Sequence, residues 1–321
     1  MTSETTLRPL AHDLLSAVCA LHNRSYEFDG LPRMLDVDEL GEEFDDEHFT
    51  LDTDTRVATV DQALAGYAYT VHLPSDVGLE RAYIFGSVDP EFRGRGVGRA
   101  LLAWGVQRAD EQLRSSGSEL PKYIRVEAYD HISSAQHLFA RLGFIAVRYF
   151  EELLRPLDTV PAPSAIPGIS VEPWPLDRDD ELRRIRNTAF ADHWGSTPMS
   201  PDRFEHRVHG FGSRLDLSFV AVDDASGRMV AECFNTRYPD DDELLGRRDG
   251  WIDDLGTLPE WRGRGIASAL IGASLRAFAA DGLTHASIGV DSDSPTGAAR
   301  LYRALGFEPQ LRSVTWQLRV G

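Results

Sequence analysis

The sequence predicts a mixed α/β fold that occurs in two tandem copies. A chain of 321 residues is longer than one hydrophobic core usually serves. Residues 88–103 return in similar form at 257–272, and each copy is followed by a second match, at 135–144 and 298–307. Two homologous units in one chain account for both the length and the repeats.

The two units have the same order of predicted elements. Alternating hydrophobicity predicts a β-hairpin over 218–222 and 229–234 in the second unit, and its counterpart lies at 56–60 and 65–72 in the first. Each unit is interpreted as two helices, a meander of strands, and then strand, Gly/Arg turn, helix, strand and short helix. This order is typical of a mixed sheet covered by helices.

A segment between the units, residues 157–168, contains three prolines and a glycine without helical or alternating pattern. We therefore predict an N-terminal domain over 1–156, a linker over 157–168 and a C-terminal domain over 169–321.

Composition excludes several classes of protein. With 42% hydrophobic and 26% charged residues the chain is an ordinary globular protein, and no apolar run approaches the roughly 20 residues that cross a bilayer. A net charge of -18 disfavours binding to nucleic acid or anionic lipid. Its two cysteines, Cys19 and Cys233, lack neighbouring metal ligands, so we predict no metal site and a cytoplasmic location.

The Gly/Arg turn at 262–267, R-G-R-G-I-A, links a strand-like run at 251–258 to a predicted helix at 267–280. Glycines let a phosphate approach the main chain, and the helix N-terminus contributes about half a positive charge. The turn therefore suits a pyrophosphate. Its spacing matches neither the nucleoside-triphosphate loop nor the dinucleotide fingerprint, which disfavours ATP and NAD.

These residues resemble the GNAT acyltransferase superfamily, whose signature Arg/Gln-x-x-Gly-x-Gly/Ala is met at 93–98 and at 262–267. The resemblance covers nearly the whole chain and implies a GNAT-like fold, with acetyl-CoA as donor and coenzyme A as product. The tandem arrangement is similar to that of mycothiol synthase. However, the acidic strand residue that matters in mycothiol synthase aligns with Trp251, so that particular substrate is not supported.

The resemblance also implies which residues bind the cofactor. The backbone groups of residues 255–257 would pair with the pantetheine arm, and one of their N–H groups would polarise the acetyl carbonyl. Ser294 stands where many relatives have Asn. The predicted cofactor-binding residues of the second unit are Leu255, Gly256, Thr257, Arg262, Gly263, Arg264, Gly265, Ile266, Ala267, Ser268 and Ser294, and those of the first unit are Gly86, Ser87, Val88, Arg93, Gly94, Arg95, Gly96, Val97 and Gly98.

Acetyl transfer to an amine needs a proton acceptor, because an alkylammonium has a pKa of about 10.4. It also needs an acid near the departing sulfur. Asp253 and Asp254 precede the turn, and since neighbouring strand residues face opposite sides, only one is expected to face the acceptor. The resemblance favours Asp253, with Asp254 second, and assigns the acid to Tyr302. The alternative is structural: aspartates paired with arginines, and a tyrosine of the core.

The first unit keeps the turn but lacks these acid–base groups. Ile84 and Phe85 align with the two aspartates, and Phe139 aligns with Tyr302. We therefore predict that the C-terminal unit catalyses and that the N-terminal unit is structural, whether or not it binds coenzyme A.

The acceptor site is less well specified. His193 and Trp194 lie in the predicted substrate-shaping segment, 187–204, although packing is the alternative role for such a pair. Glu232, Arg237 and Asp249 are further polar candidates without a decisive pattern.

The sequence thus predicts an acetyl-CoA-dependent N-acetyltransferase that acts on the amine of a small molecule and forms a monomer or homodimer. Direct transfer in a ternary complex is favoured, because Cys233 has no sequence context that would activate a nucleophile. The alternatives are a non-catalytic coenzyme A-binding sensor or scaffold, and a protein N-acetyltransferase.

Overall fold

The computed structural model of the protein describes residues 5–44, 49–75, 77–293 and 297–321. The chain forms two compact units. Unit 1 comprises Met1–Arg148 with Ser313–Gly321, and unit 2 comprises Tyr149–Arg312. Within the described ranges, none of the helices combines the length and apolar character that a membrane span requires.

The strands follow one another along the chain as β1 (Thr5–Arg8), β2 (Thr55–Val60), β3 (Ala63–Leu73), β4 (Glu80–Val88), β5 (Lys122–Tyr129), β6 (Ile145–Pro156), β7 (Ile169–Pro173), β8 (Phe219–Asp223), β9 (Met229–Thr236), β10 (Asp249–Thr257), β11 (His285–Asp291) and β12 (Glu308–Arg319). The helices are α1 (Leu15–Phe28), α2 (Val37–Phe44), α3 (Leu51–Asp54), α4 (Val97–Ser115), α5 (Ser133–Arg141), α6 (Asp179–Ala189), α7 (Pro201–His209), α8 (Asp241–Leu245), α9 (Ile266–Ala280) and α10 (Ala298–Ala304). Both predicted hairpins are confirmed, as β2–β3 and β8–β9.

Unit 1 contains the sheet order β1-β2-β3-β4-β5, and residues 313–319 of β12 pair with β5. Pairing is antiparallel except between β4 and β5, which run parallel. Apolar residues of α1 and α2 pack on one face of β2 and β3, and α4 packs on the opposite face.

Unit 2 repeats this plan with the order β7-β8-β9-β10-β11, and residues 150–156 of β6 pair with β11. Here β10 and β11 are the parallel pair. The helices α6 and α7 cover one face and α9 covers the other. Helix α7 begins at Pro201 because the Ser200 hydroxyl accepts the N–H of Arg203, and proline suits the first helical position.

The compact units differ from the predicted domains by two strand segments. Residues 149–156, at the end of the predicted first domain, belong to unit 2, and residues 313–321, at the end of the predicted second domain, belong to unit 1. The physical reason is hydrogen bonding, since β6 supplies a strand next to β11 and β12 supplies one next to β5.

The parallel pair of each unit separates before its strands end. In unit 2, pairing between β10 and β11 ends at Ile252 and Ile288, although β10 continues to Thr257. In unit 1, the pairing of β4 with β5 ends at Tyr83, although β4 continues to Val88. Each separation leaves a stretch of strand edge unpaired beside the start of the following helix.

Candidate functional site

The Gly/Arg turn of unit 2 has the backbone that the sequence predicts. Gly263 and Gly265 have φ of 74° and 84°, a left-handed conformation in which a side chain would be strained. The first hydrogen bond of α9 joins the Ala269 N–H to the Gly265 carbonyl at 3.1 Å. The amides of residues 266–268 therefore precede the helical ladder and lie at the positive end of the helix.

The side chain of Arg262 fixes this turn to the end of α6. Its Nε donates to the Thr257 carbonyl at 3.2 Å, its Nη2 donates to the Ala189 carbonyl at 2.7 Å, and its guanidinium pairs with Asp192. The hydrogen bond from Arg262 lowers the pKa of Asp192 below its ordinary value. Arg262 thus holds the loop in shape.

Unit 1 contains the same brace. Arg93 Nε donates to the Val88 carbonyl at 3.2 Å, and its guanidinium pairs with Asp29 at 2.6 Å and with the Ser25 hydroxyl at 2.6 Å. Gly94 and Gly96 also have positive φ, of 76° and 92°. The first unit therefore keeps the loop geometry as well as the loop sequence.

A cavity of about 630 Å³ opens in unit 2 where β10 and β11 separate. Its wall includes Leu255 and Thr257 of β10. It also includes the Gly/Arg turn and the beginning of α9, which together contribute residues 262, 263 and 265–268. Arg264 instead lies over the Trp261 ring at 4.6 Å. Gly256 is buried beside the wall, and Ser294 lies outside the described residues.

A β-bulge determines how the two aspartates face. Ile252 pairs with Asn235 and Asp254 pairs with Phe234, so Asp253 is the extra residue in β10. Asp253 lines the cavity, and its carboxylate also accepts a hydrogen bond from Arg207 at 3.0 Å. Only one of the two aspartates therefore borders the cavity.

The Asp254 carboxylate points toward α6 and α7 and shares Arg207 with Asp253. Its Oδ2 accepts a hydrogen bond from Arg186 Nε and another from Arg207 Nε, each at 3.0 Å. Burial raises the pKa of Asp254, but the charges of Arg207 and Arg186 outweigh it and hold the pKa below its ordinary value. Asp254 is thus a buried carboxylate whose charge is compensated, which suits a structural role.

Tyr302 lies on α10, where its side chain is buried and lines the cavity. Burial raises its pKa above the ordinary value, so the hydroxyl keeps its proton and is available as a donor. Its ring centroid is 6.3 Å from that of Phe307. In unit 1 the rings of Phe139 and Phe144 are 6.2 Å apart, which is the same packing without the hydroxyl.

In unit 1, the two positions that align with the aspartates hold apolar side chains that pack against their neighbours. Ile84 is buried under α4, where a Cβ on Gly105 would lie 2.7 Å from it. Phe85 stacks on Tyr69 with 5.1 Å between the ring centroids. No acid–base side chain stands at either position.

Of the two predicted substrate residues, His193 lines the cavity and Trp194 does not. His193 lines the cavity and makes an edge contact with Phe190, with ring centroids 5.8 Å apart. In the part of the chain that is described, Trp194 lies outside the cavity wall, with its ring centroid 6.4 Å from that of Phe150.

Sequence reasoning missed two arginines near the site. Arg186 and Arg207, on α6 and α7, were not predicted, because only the tertiary fold brings them to Asp254. Glu232, one of the polar candidates from the sequence, is buried in β9, where every other residue is uncharged. The described residues contain no group of three or more His, Cys, Asp or Glu side chains arranged to hold a metal ion.

Comparison with known proteins identifies the family. Residues 180–307 match the acetyltransferase (GNAT) family, and residues 47–146 match an acetyltransferase (GNAT) domain. A mycothiol acetyltransferase of Frankia alni is 32% identical over 270 residues, which cover 80% of this chain and 74% of the relative. The chain belongs to the GNAT acetyltransferase family. It is a tandem GNAT protein and an acyl-CoA-dependent N-acetyltransferase, as the sequence predicts.

Solved structures of GNAT proteins share the fold. A GCN5-related N-acetyltransferase from Sphaerobacter thermophilus superposes with a TM-score of 0.78 at 25% identity, covering 98% of this chain and 96% of its own. A tandem GNAT protein from the clavulanic acid biosynthesis pathway gives a TM-score of 0.71 at 20% identity, covering 99% of each chain. The predicted mixed fold in two copies is therefore confirmed.

Proposed function

We propose that unit 2 transfers an acetyl group from acetyl-CoA directly to the amine of a small molecule, with both substrates bound together. One observation carries this proposal. A single cavity brings together the amide-bearing turn of α9, the unpaired edge of β10, the carboxylate of Asp253 and the hydroxyl of Tyr302.

The residues present fit the expected donor. Acetyl-CoA, when bound, supplies the activated acetyl group. The amides of residues 266–268 would hold its pyrophosphate, since a helix N-terminus free of side-chain obstruction suits an anion. The unpaired edge of β10 at Leu255 and Thr257 offers backbone groups to the pantetheine arm, and an N–H there would stabilise the developing oxyanion.

Charged and polar side chains of the cavity suit an amine. The carboxylate of Asp253 attracts the ammonium form of the acceptor and is the proton acceptor that the sequence favours. Tyr302 donates its hydroxyl proton to the departing sulfur. His193 lies on the acceptor side of the wall with Phe190.

Direct transfer is supported by the state of Cys233. Its side chain is fully buried in β9, and its sulfur lies 3.3 Å from the Ser274 hydroxyl on the α9 face. Burial raises the pKa of its thiol to about 12, which opposes formation of a nucleophilic thiolate.

A pair of matched variants tests the proposal. Ala267→Glu places a negative charge in the first turn of α9, and Gly98→Glu places one at the aligned position of α4. Glutamate in a first helical turn favours the helix, so both proteins should fold. A like charge about 5 Å from a bound phosphate costs roughly 1–3 kcal/mol, which weakens affinity about 10- to 100-fold.

We expect Ala267→Glu to weaken coenzyme A binding by calorimetry and to lower thiol release from acetyl-CoA with a panel of alkylamines, amino acids, amino sugars and peptides. Gly98→Glu should leave turnover unchanged. Equal losses in the two variants would contradict the assignment of catalysis to unit 2. Binding without acetylation of any amine indicates a sensor, and acetylation of peptides alone indicates a protein acetyltransferase.

The acceptor itself is proposed only as a small-molecule amine. Relatives are named mycothiol acetyltransferases, which makes an amine of that pathway a member of the test panel. Trp251 stands at the position where mycothiol synthase is expected to use an acid, so we propose a different acceptor.

A further inference from the structure

A buried glutamate lies in β9, one strand away from the cavity wall. Glu232 lies in β9 with 1% of its surface exposed, and every other residue of this strand is uncharged. Within the described part of the protein, its Oε1 has no hydrogen-bond partner. A buried carboxyl oxygen without a partner is costly and calls for a functional explanation.

The missing side chain of Gly256 lets the Glu232 carboxyl group lie against β10. Gly256 pairs with Glu232 across β9 and β10, and a Cβ on Gly256 would lie 2.5 Å from Glu232 Oε1. The same Cβ would lie 3.1 Å from the side chain of Ala189, which lines the cavity. The carboxyl group therefore occupies the place that the missing side chain leaves, directly behind the cavity wall.

The charges around Glu232 leave it as the carboxyl able to take up a proton. The groups that face it are Arg186 on α6, Arg207 on α7, and Asp253 and Asp254 on β10. Both arginines donate their hydrogen bonds to the aspartates. Burial, with a further contribution from the Asp254 charge, raises the pKa of Glu232 to about 8, much closer to that of an alkylammonium.

We propose that Glu232 is the final acceptor of the proton that the acceptor's ammonium group loses, reached past Gly256 through one water molecule. The inference rests on the proposed function and changes one role in it: Asp253 attracts the ammonium, and Glu232 instead of Asp253 finally holds the proton.

The proton balance of this step is closed. An N–H bond of the ammonium breaks, its electron pair stays on nitrogen, and an O–H bond forms on Glu232. As the amide forms, nitrogen loses a second proton, which replaces the one that Tyr302 gives to the sulfur. Glu232 then releases its proton to solvent, so one proton leaves per acetyl transferred.

Unit 1 supplies a matched control. At the same place in its sheet, Ser87 pairs with Tyr67, whose hydroxyl lies 2.7 Å from His22 Nδ1. Tyr67→Phe therefore removes the polar group of the corresponding strand position in the unit that lacks the acid–base residues.

The kinetic test compares Glu232→Gln with Tyr67→Phe, using the best alkylamine of the panel and its weakly basic aminooxy analogue. We expect Glu232→Gln to lower kcat/KM for the alkylamine about 10²- to 10⁴-fold. The rate of the variant should then recover about tenfold for each unit by which the pH is raised, because more of the amine is already neutral in solution. The aminooxy compound, already neutral at pH 7, should lose much less, and Tyr67→Phe should lose nothing. Equal losses with both amines, or an unchanged pH profile, would overturn the inference.

An infrared titration of the full-length protein separates failure of the inference from failure of the proposed function. We expect one protonated-carboxyl band that titrates near pH 8, shifts when acetyl-CoA is added, and is absent from Glu232→Gln. If the wild type binds acetyl-CoA and acetylates no amine, the proposed function fails and the proton transfer to Glu232 fails with it, whereas acetylation of an amine without the band means that only the inference fails. A missing or unresponsive band overturns the inference whatever the turnover.

Discussion

Replacing Glu232 with glutamine should change how the stability of the protein depends on pH. Burial raises the pKa of Glu232 from an ordinary 4.5 to about 8 in the folded state. Between these values the folded protein binds a proton that the unfolded chain has released, so folding loses stability as the pH rises. The window of about 3.5 pH units corresponds to at most about 5 kcal/mol.

The assay is urea unfolding of wild type and Glu232→Gln at several values from pH 5 to pH 8. We expect the wild type to lose up to about 3.5 kcal/mol of unfolding free energy relative to the variant between pH 5 and pH 8, with unchanged m-values. Glu205→Gln, which alters an exposed glutamate of α7, should run parallel to the wild type. Parallel curves for Glu232→Gln would refute the reasoning, because they would mean that Glu232 is already ionised in the folded protein at pH 5.

Three further outcomes follow from the contacts described. Asp254→Asn should lower the free energy of unfolding by about 3–5 kcal/mol, because Arg186 then lacks its buried counter-charge and Arg207 keeps the Asp253 carboxylate alone; a loss below 1 kcal/mol in urea unfolding would contradict this. Tyr302→Phe should lower kcat about 10²-fold or more with little change in KM for acetyl-CoA, as steady-state kinetics would show; a change in KM alone would assign Tyr302 to packing. A thiol-alkylating reagent should leave Cys233 unmodified by mass spectrometry and activity intact, since burial raises its pKa to about 12; inactivation prevented by acetyl-CoA would point to an acyl-enzyme.

The parts of the site that depend on local sequence could be predicted. The positive φ of Gly263 and Gly265 follows from R-G-R-G before an apolar-periodic helix, because only glycine takes that conformation without strain. The two hairpins and the family resemblance could also be predicted, because each depends on a pattern within a short stretch of sequence.

The parts that depend on distant contacts could not be predicted. Arg262 lines the cavity, but the pairing of its side chain with Asp192, 70 residues earlier in the chain, has no local signal in the sequence. Strict alternation predicts one aspartate on each face of β10, whereas the bulge at Asp253, which depends on pairing with β9, lets both carboxylates reach Arg207. Glu232 gains its meaning from standing opposite Gly256, a register that no local pattern reveals.

The exchange of β6 and the end of β12 between the units has a consequence for biosynthesis. Domains commonly fold as they leave the ribosome, the N-terminal one first. Unit 1 lacks the strand beside β5 until residues 313–319 are translated, after all of unit 2. The β5 edge of unit 1 therefore stays unpaired with β12 until synthesis of the chain is nearly complete. Splitting the gene within 157–168 would give two products, each of which lacks a strand that the other contains.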